Sequence, residues 1–318
     1  MAACERRMAE EDSEEKGDEE EDEMVADFYA FQASKFRDSW DSQWLGYFGS
    51  FEDTTRIPCM RFTEKKPEPQ HSAFLNTTLQ IFSLKVAGIR GSLQWPLHVF
   101  GTVFLRDSLD HNRNVIFDRR RDNCQILTQE APCLTLTGPT RAVVLLDPVI
   151  FEVDLKAKGA TESEDKHLSF LAVPFMGSTP LQSCLRTRDY TSKLSTLEFA
   201  LGVLVYSPQS KCELHMGRGQ MVRARIAACT TSVDQEVLLL DSGEDKVHVD
   251  GDGWITLSRQ VVSVEVDGKL KVAVKACLGD QIILIKEKGF KPKKAGTSGG
   301  TLNIGFCQMD ITVAWSLI

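Results

Sequence analysis

The chain has 318 residues, 42% of them hydrophobic, and a formal net charge of −8, which allows one large core or two smaller ones. The charge is uneven: residues 1–24 hold twelve acids against Arg6, Arg7 and Lys16, leaving 34 bases and 33 acids elsewhere. A body so close to neutral lacks the basic field that carries nucleic-acid binding, so ribosome or RNA partners find no support in charge. Apolar runs such as 142–146 and 282–285 fall far short of the roughly 18 residues of a membrane span, and no membrane association is expected. No secretory signal opens the chain. Nine cysteines, at 4, 59, 124, 133, 184, 212, 229, 277 and 307, form no CxxC pair; they read as reduced thiols and point to a cytoplasmic or nuclear setting.

Residues 1–24 are too acidic and too poor in large apolar groups to offset the entropy of ordering, and are expected to be disordered. From Val25 to Tyr47 the aromatic residues Phe28, Phe31, Phe36, Trp40 and Trp44 recur at mostly three- to five-residue spacing, which predicts a short helical segment with an aromatic stripe. The stripe packs on the rest of the body in one reading; in the other it is a docking helix for a protein partner, with Trp40 and Trp44 as contacts. Gly46, Gly49 and Pro58 end the helix, and Lys65-Lys-Pro-Glu-Pro69 reads as a linker.

After Thr77 strands dominate. Residues 79–86 and 149–155 alternate apolar and polar side chains, as half-buried strands do. Residues 168–173, 197–205, 222–228, 270–276, 282–285, 302–306 and 311–315 are further strands, and the Gly-, Ser- and Lys-rich stretch 291–300 reads as an exposed loop. Order and spacing also repeat. Val103, Phe117 and Asp118 match Ile226, Leu240 and Asp241 at a constant 123 residues, and Leu134 matches Ile255 at 121. Thr140-Arg-Ala-Val-Val144 similarly answers Ser258-Arg-Gln-Val-Val262. The fold expected is all-β: two tandem sandwich-like units from an internal repeat, a first at 77–180 and a second at 181–318, preceded by a helical segment and linker at 25–76.

The densest charged stretch, 106–122, contains Arg106, Asp107, Asp110, His111, Arg113, Asp118, Arg119, Arg121 and Asp122. Aspartates 107, 110, 118 and 122 are candidate calcium ligands if loops gather them at one end of a sandwich. Arg106, Arg113, Arg119 and Arg121, with His111, are candidate binders of an anionic group. Mixed signs this close more often pair with one another and fix a loop. The second unit carries Thr230, Val233 and Ser242 in place of Asp107, Asp110 and Arg119, so any ligand role belongs to the first unit alone. Asp250-Gly-Asp-Gly253 lacks the ligand pattern of an EF-hand and reads as a turn. Scattered histidines, no GxSxG and no GxGxxG leave no catalytic set and no cofactor.

Gly49-Ser-Phe-Glu-Asp-Thr-Thr55, Thr78-Leu-Gln-Ile-Phe-Ser83, Arg106-Asp-Ser-Leu-Asp110, Arg121-Asp-Asn-Cys-Gln125, Leu136-Thr-Gly-Pro139 with Arg141, and Val313-Ala-Trp-Ser-Leu317 resemble a grass domain family of unknown function, numbered 6598, over residues 27–318. That family is similar to the C-terminal part of some cereal jasmonate-induced ribosome-inactivating proteins. The resemblance implies a link to stress or defence and no catalytic residues. The residues before the first unit are too few for an rRNA N-glycosidase domain. The expectation is a non-enzymatic interaction or regulatory module with an unidentified protein partner; a ribosome- or RNA-directed factor and calcium-dependent ligand binding are the alternatives.

Overall fold

The computed structural model of the protein describes residues 28–64, 73–176, 180–219, 223–243, 245–278, 281–305 and 307–318. The acidic tail and the Lys65–Pro69 linker lie outside the described residues. Helix α1 occupies residues 28–43. Tyr29, Ala33, Phe36 and Trp40 recur at helical spacing and form its inner face, with Ala33 and Trp40 buried. A second short helix, α2 (Leu45–Phe48), ends at Gly49. The predicted stripe is therefore split: Phe36, Trp40 and Trp44 turn toward the strands, whereas Phe28 and Phe31 fall off that face and stay 53% and 59% exposed.

Four antiparallel sheets follow. The first has the order β5 (Val143–Val144), β1 (Asn76–Ile89), β9 (Ser195–Ser207), β8 (Cys184–Thr191). The second runs β3 (Asn114–Arg119), β2 (Leu97–Arg106), β6 (Val149–Ala157), β7 (Lys166–Phe175), with β4 (Gln125–Leu127) also on β2. The third runs β13 (Val261–Ser263), β10 (Gln209–Gly219), β17 (Cys307–Ser316), β16 (Ala295–Asn303). The fourth runs β12 (Val237–Asp241), β11 (Arg223–Thr230), β14 (Leu270–Leu278), β15 (Gln281–Phe290).

The third and fourth sheets have the strand order of the first and second. Val103 sits between Phe117 and Val153, and Ile226 sits between Leu240 and Val274. Each strand then breaks register at the next step, Val103/Phe104 and Ile226/Ala227. Within each pair of sheets the inward residues meet in one core. Leu79, Ile81 and Leu201 meet Val103 and Val153 in the first, and Leu214 and Val313 meet Ile226 and Val274 in the second. Each pair is a sandwich of alternating inward side chains.

The expected boundary at 180/181 moves. Strands β8 and β9 hydrogen-bond into the first sheet, so the chain passes to the second unit at Ser207 and Pro208. The stretch 295–303 is strand β16, not loop. Its ladder runs along β17 from end to end, with Gly296 N also donating to Thr63 O at 2.9 Å, and as an edge strand with one buried residue it needs no apolar alternation. The stretches 134–137 and 255–258 lie outside the named strands; isolated bridges stand at Cys133, Trp254 and Ile255, and Leu134 N, Thr137 N and Ile255 N donate to Leu84 O, Ile116 O and Leu214 O.

Strand β1 is buried on both faces, because its outer face meets the second unit. The register break between Ile81 and Ser83 sends Phe82 outward, where it joins the second core with Leu204. Arg259, buried at 2% exposure, crosses the same junction. It donates to Gly138 O at 2.6 Å, Ile81 O at 2.7 Å and Phe82 O at 3.4 Å. Gln80 Oε1 accepts from Ser263 N at 3.0 Å, and Gln209 Oε1 accepts from Ala142 N at 3.1 Å. Gly138 is required where it stands, since a Cβ there would lie 1.6 Å from Val115 O. Phe82→Ala is expected to destabilise the chain by about 3–5 kcal/mol, the usual range for a buried Phe truncation. Chemical denaturation measures it; a loss under about 1 kcal/mol would show that the two cores do not depend on the junction.

Candidate functional site

Strand β2 ends at Arg106, and the chain turns through residues 107–113 before β3. The turn is fixed from within. Asp107 Oδ1 accepts from Leu109 N at 3.1 Å, Asp110 Oδ1 accepts from Asn112 N at 3.3 Å, and His111 holds a left-handed φ of 49°. Both aspartates also meet Arg141, which is 0% exposed. Its Nη1 donates to Asp107 Oδ2 at 2.7 Å, and its Nη2 to Asp107 Oδ1 at 2.8 Å and Asp110 Oδ1 at 3.0 Å. Burial disfavours the charge on Arg141, yet the bonds to Asp107 and Asp110 outweigh it and raise its pKa. Asp107 Oδ2 accepts in addition from Val144 N at 2.8 Å, so the pair also fixes β5.

Arg106, 1% exposed, has the opposite setting. Its Nε donates to Glu152 Oε2 at 2.7 Å, Nη1 to His111 O at 3.0 Å and Nη2 to Phe51 O at 2.7 Å. Burial lowers its pKa, opposed by Glu152, which it shares with Arg113. The guanidinium lies 4.5 Å from the Trp40 ring centre and 4.4 Å from that of Phe51. Arg37 and Arg113 stand 4.6 and 4.8 Å from the same Phe51 ring, so one aromatic face set serves three cations. Glu52 pairs with Arg37 and Arg113, and Glu152 with Arg106 and Arg113.

This network carries the N-terminal segment onto the first unit. Thr54 bridges Arg113 in parallel, Thr55 N donates to Arg113 O at 2.9 Å, and Arg113 N donates to Asp53 O at 3.1 Å. Thr55 Oγ1 donates to Asp110 Oδ2 at 2.5 Å. Trp44 stacks on His111 with ring centres 4.3 Å apart, and Phe48 meets the same ring edge-on at 4.9 Å. The segment then reaches the second unit, where Phe62 N donates to Ser316 Oγ and Thr63 Oγ1 to Trp315 O.

The sequence candidates therefore separate. Arg106, Asp107, Asp110, His111 and Arg113 gather at one end of β3 with Trp40 and Trp44. Asp118, Arg119, Arg121 and Asp122 lie at the other end of this six-residue strand, roughly 17 Å away at the rise of a strand. The four aspartates do not converge as calcium ligands. Two are turned onto Arg141, and Asp118 and Asp122 are exposed elsewhere. Among the described residues no group of three or more His, Cys, Asp or Glu is placed to hold a metal ion. Nor do Arg119 and Arg121 form one anion grip. Arg121 pairs with Asp165 at 2.9 Å and donates to Gly159 O at 3.0 Å, whereas Arg119 Nε is buried without a partner.

Sequence reasoning passed over Glu52, Thr55, Arg141 and Glu152, which complete the cluster from distant parts of the chain. It also passed over a cleft of about 550 Å³ between the units, lined by Phe82, Cys133, Arg225, Glu236, Asp241 and Arg259 among others. Arg225 pairs there with Glu236 at 3.3 Å and Asp241 at 3.4 Å. A signal for Arg141 and Arg259 existed, since both occupy the same place in the repeat, each ahead of an apolar Val-Val strand.

Two outcomes follow. Arg141→Met leaves Asp107 buried without its cation and is expected to destabilise by about 3–5 kcal/mol; calorimetric unfolding that moved Tm by less than about 2 °C would contradict the pairing. His111 has its pKa lowered from 6.5 by burial, against the opposing pull of Asp107, Asp110 and Asp147. A depressed histidine binds its proton more readily when unfolded, so its share of stability is present above 6.5 and is lost as pH falls toward the folded value. Between pH 7.5 and 5.5 the wild type should lose more Tm than His111→Gln, and equal losses would exclude this role.

No curated protein matches the chain. Among solved structures it is similar to the SMP, C2A and C2B domains of extended-synaptotagmin 2, at 6% identity and a TM-score of 0.27 over 76% of this chain and 57% of that one. It is also similar to the calcium-bound C2A and C2B domains of the same protein, at 8% identity and 0.27 over 78% of this chain and 100% of that one. Human GIVD cytosolic phospholipase A2 matches at 8% identity and 0.23, over 78% of this chain and 33% of that one. The chain thus spans little more than half of the first of these proteins and a third of the last. The profile of the family described as Domain of unknown function (DUF6598) matches residues 78–313, and the chain belongs to that family.

Proposed function

We propose that the chain is a non-enzymatic interaction or regulatory β module, linked to stress or defence, working in the cytoplasm or nucleus. One observation carries the reading. The ionisable side chains of 106–113 are occupied by Arg141, Glu152, Glu52 and Thr55, with His111 against Trp44 and Phe48, so their work is to hold the N-terminal segment in place rather than to turn over a substrate. The segment so held presents Phe28, Phe31 and Tyr47, the last 83% exposed, as a surface for a protein partner. The two units read as products of one duplication, supported by the common sheet order and the shared register break. In that history the first unit kept the charged loop and the second did not.

A ribosome- or RNA-directed role is the competing class. It predicts rRNA binding that weakens steeply with salt, because phosphate contacts release counterions. The interaction module predicts no such binding, and capture of a protein that survives ribonuclease and is lost in a Phe28→Asp, Phe31→Asp variant of unchanged Tm. Salt-dependent retention of rRNA on filters by the intact chain, or release of adenine from ribosomes, would replace this reading with the other.

A further inference from the structure

The second unit builds differently the end that corresponds to the charged loop of the first. Thr230 stands at the position of Asp107, and Arg259, at the position of Arg141, runs away to the carbonyls of Ile81, Phe82 and Gly138. This end has therefore lost the guanidinium that fills its counterpart. It keeps a carboxylate. Glu265 is 6% exposed; its Oε2 accepts from Thr230 Oγ1 at 2.6 Å, while its Oε1 is buried and accepts from no donor among the described residues. A buried carboxylate oxygen without a donor is unfavourable unless something supplies one.

Glu265 lines a cavity of about 460 Å³. Asp267 is a second acid on its wall, and no Lys, Arg or His is among the lining residues. Lys269, the nearest base in sequence, has its side chain beside Gly289 instead. The rim is aromatic and apolar: Tyr206 is 66% and Leu181 98% exposed. Tyr206 holds a left-handed φ of 48°, uncommon for a bulky side chain and typical of positions where surrounding structure fixes a ligand contact. Its carbonyl accepts from Val266 N at 3.1 Å, which ties its backbone to the residue next to Glu265.

We infer that this cavity takes a guanidinium group, with Glu265 and Asp267 accepting its N–H donors and Tyr206 covering its plane. The planar fork of a guanidinium matches carboxylate oxygens and stacks on an aromatic face, which a compact ammonium does less well. The first unit shows the same chemistry at the same end, where Arg141 meets Asp107 and Asp110. The source is either a free small molecule or an arginine of another polypeptide, and the test separates them. This site is independent of the N-terminal segment, so its failure leaves the reading of that segment untouched.

The test titrates the full chain by calorimetry with N-acetyl-arginine amide, with an uncharged pentapeptide carrying one central arginine, and with the same peptide carrying citrulline. Saturable binding of the first ligand identifies a small-molecule source, and binding of the arginine peptide alone identifies a polypeptide. Citrulline should not bind. Glu265→Gln should weaken binding about tenfold or more, as expected for loss of a charge-assisted pair. Should Glu265→Gln fail to fold, the exposed-site variants Asp267→Asn and Tyr206→Ala carry the test, each expected to weaken binding about threefold or more. Absence of binding by both guanidinium ligands, equal binding of citrulline, or unchanged affinity in the variants that fold would overturn the inference.

Discussion

A guanidinium taken out of water needs acceptors for five N–H donors, and it cannot escape by losing its proton. Arg106, Arg141 and Arg259 are each at most 2% exposed, and much of the architecture follows from how they are satisfied. Arg141 takes two aspartates and thereby closes the 107–113 turn against β5. Arg106 takes one glutamate, two backbone carbonyls and the faces of Trp40 and Phe51, which draws the N-terminal segment over the end of the first unit. Arg259 takes three carbonyls and no carboxylate, and burial pulls its pKa down to about 10. It acts as a peg between the two sandwiches.

Two of the three acceptors of Arg259 lie where strand β1 breaks register between Ile81 and Ser83. That irregularity turns Phe82 toward the second core and leaves the carbonyls of Ile81 and Phe82 facing Arg259. One local feature thus serves apolar packing and polar satisfaction together. Such a junction is harder to slide than an apolar one, since displacement would strand a buried charge. The N-terminal segment reinforces it by touching both units, at Arg113 and at Ser316.

Much of the fold was legible because half-buried strands write their alternation into the sequence. Residues 149–155 lie within β6, and the pair Val103 and Ile226 occupies equivalent positions with equivalent neighbours. Strand β16 was illegible for the converse reason. As an exposed edge of Gly, Ser and Thr, it is held by backbone bonds that carry no side-chain signature. The division at 180 failed because β8 and β9 return to pair with β1, a long-range closure that periodicity does not reveal. In the site, the mixed signs of 106–122 suggest pairing with one another, whereas Arg106, Asp107, Asp110 and Arg113 pair with residues outside the stretch. Their partners Glu52, Thr55, Arg141 and Glu152 come from far along the chain, and charge density alone does not name them.

The claim on which the account rests is that the arginine cluster fastens residues 51–55 to the first unit as part of its fold. Hydrogen exchange at the Thr55 and Arg113 amides reads this directly, because both donate across the junction. The account predicts that both exchange as slowly as amides of β2 and β6, and that Glu152→Gln speeds them selectively while the β1 amides stay protected. Fast exchange at Thr55 and Arg113 in the wild type, indifferent to Glu152→Gln, would contradict it.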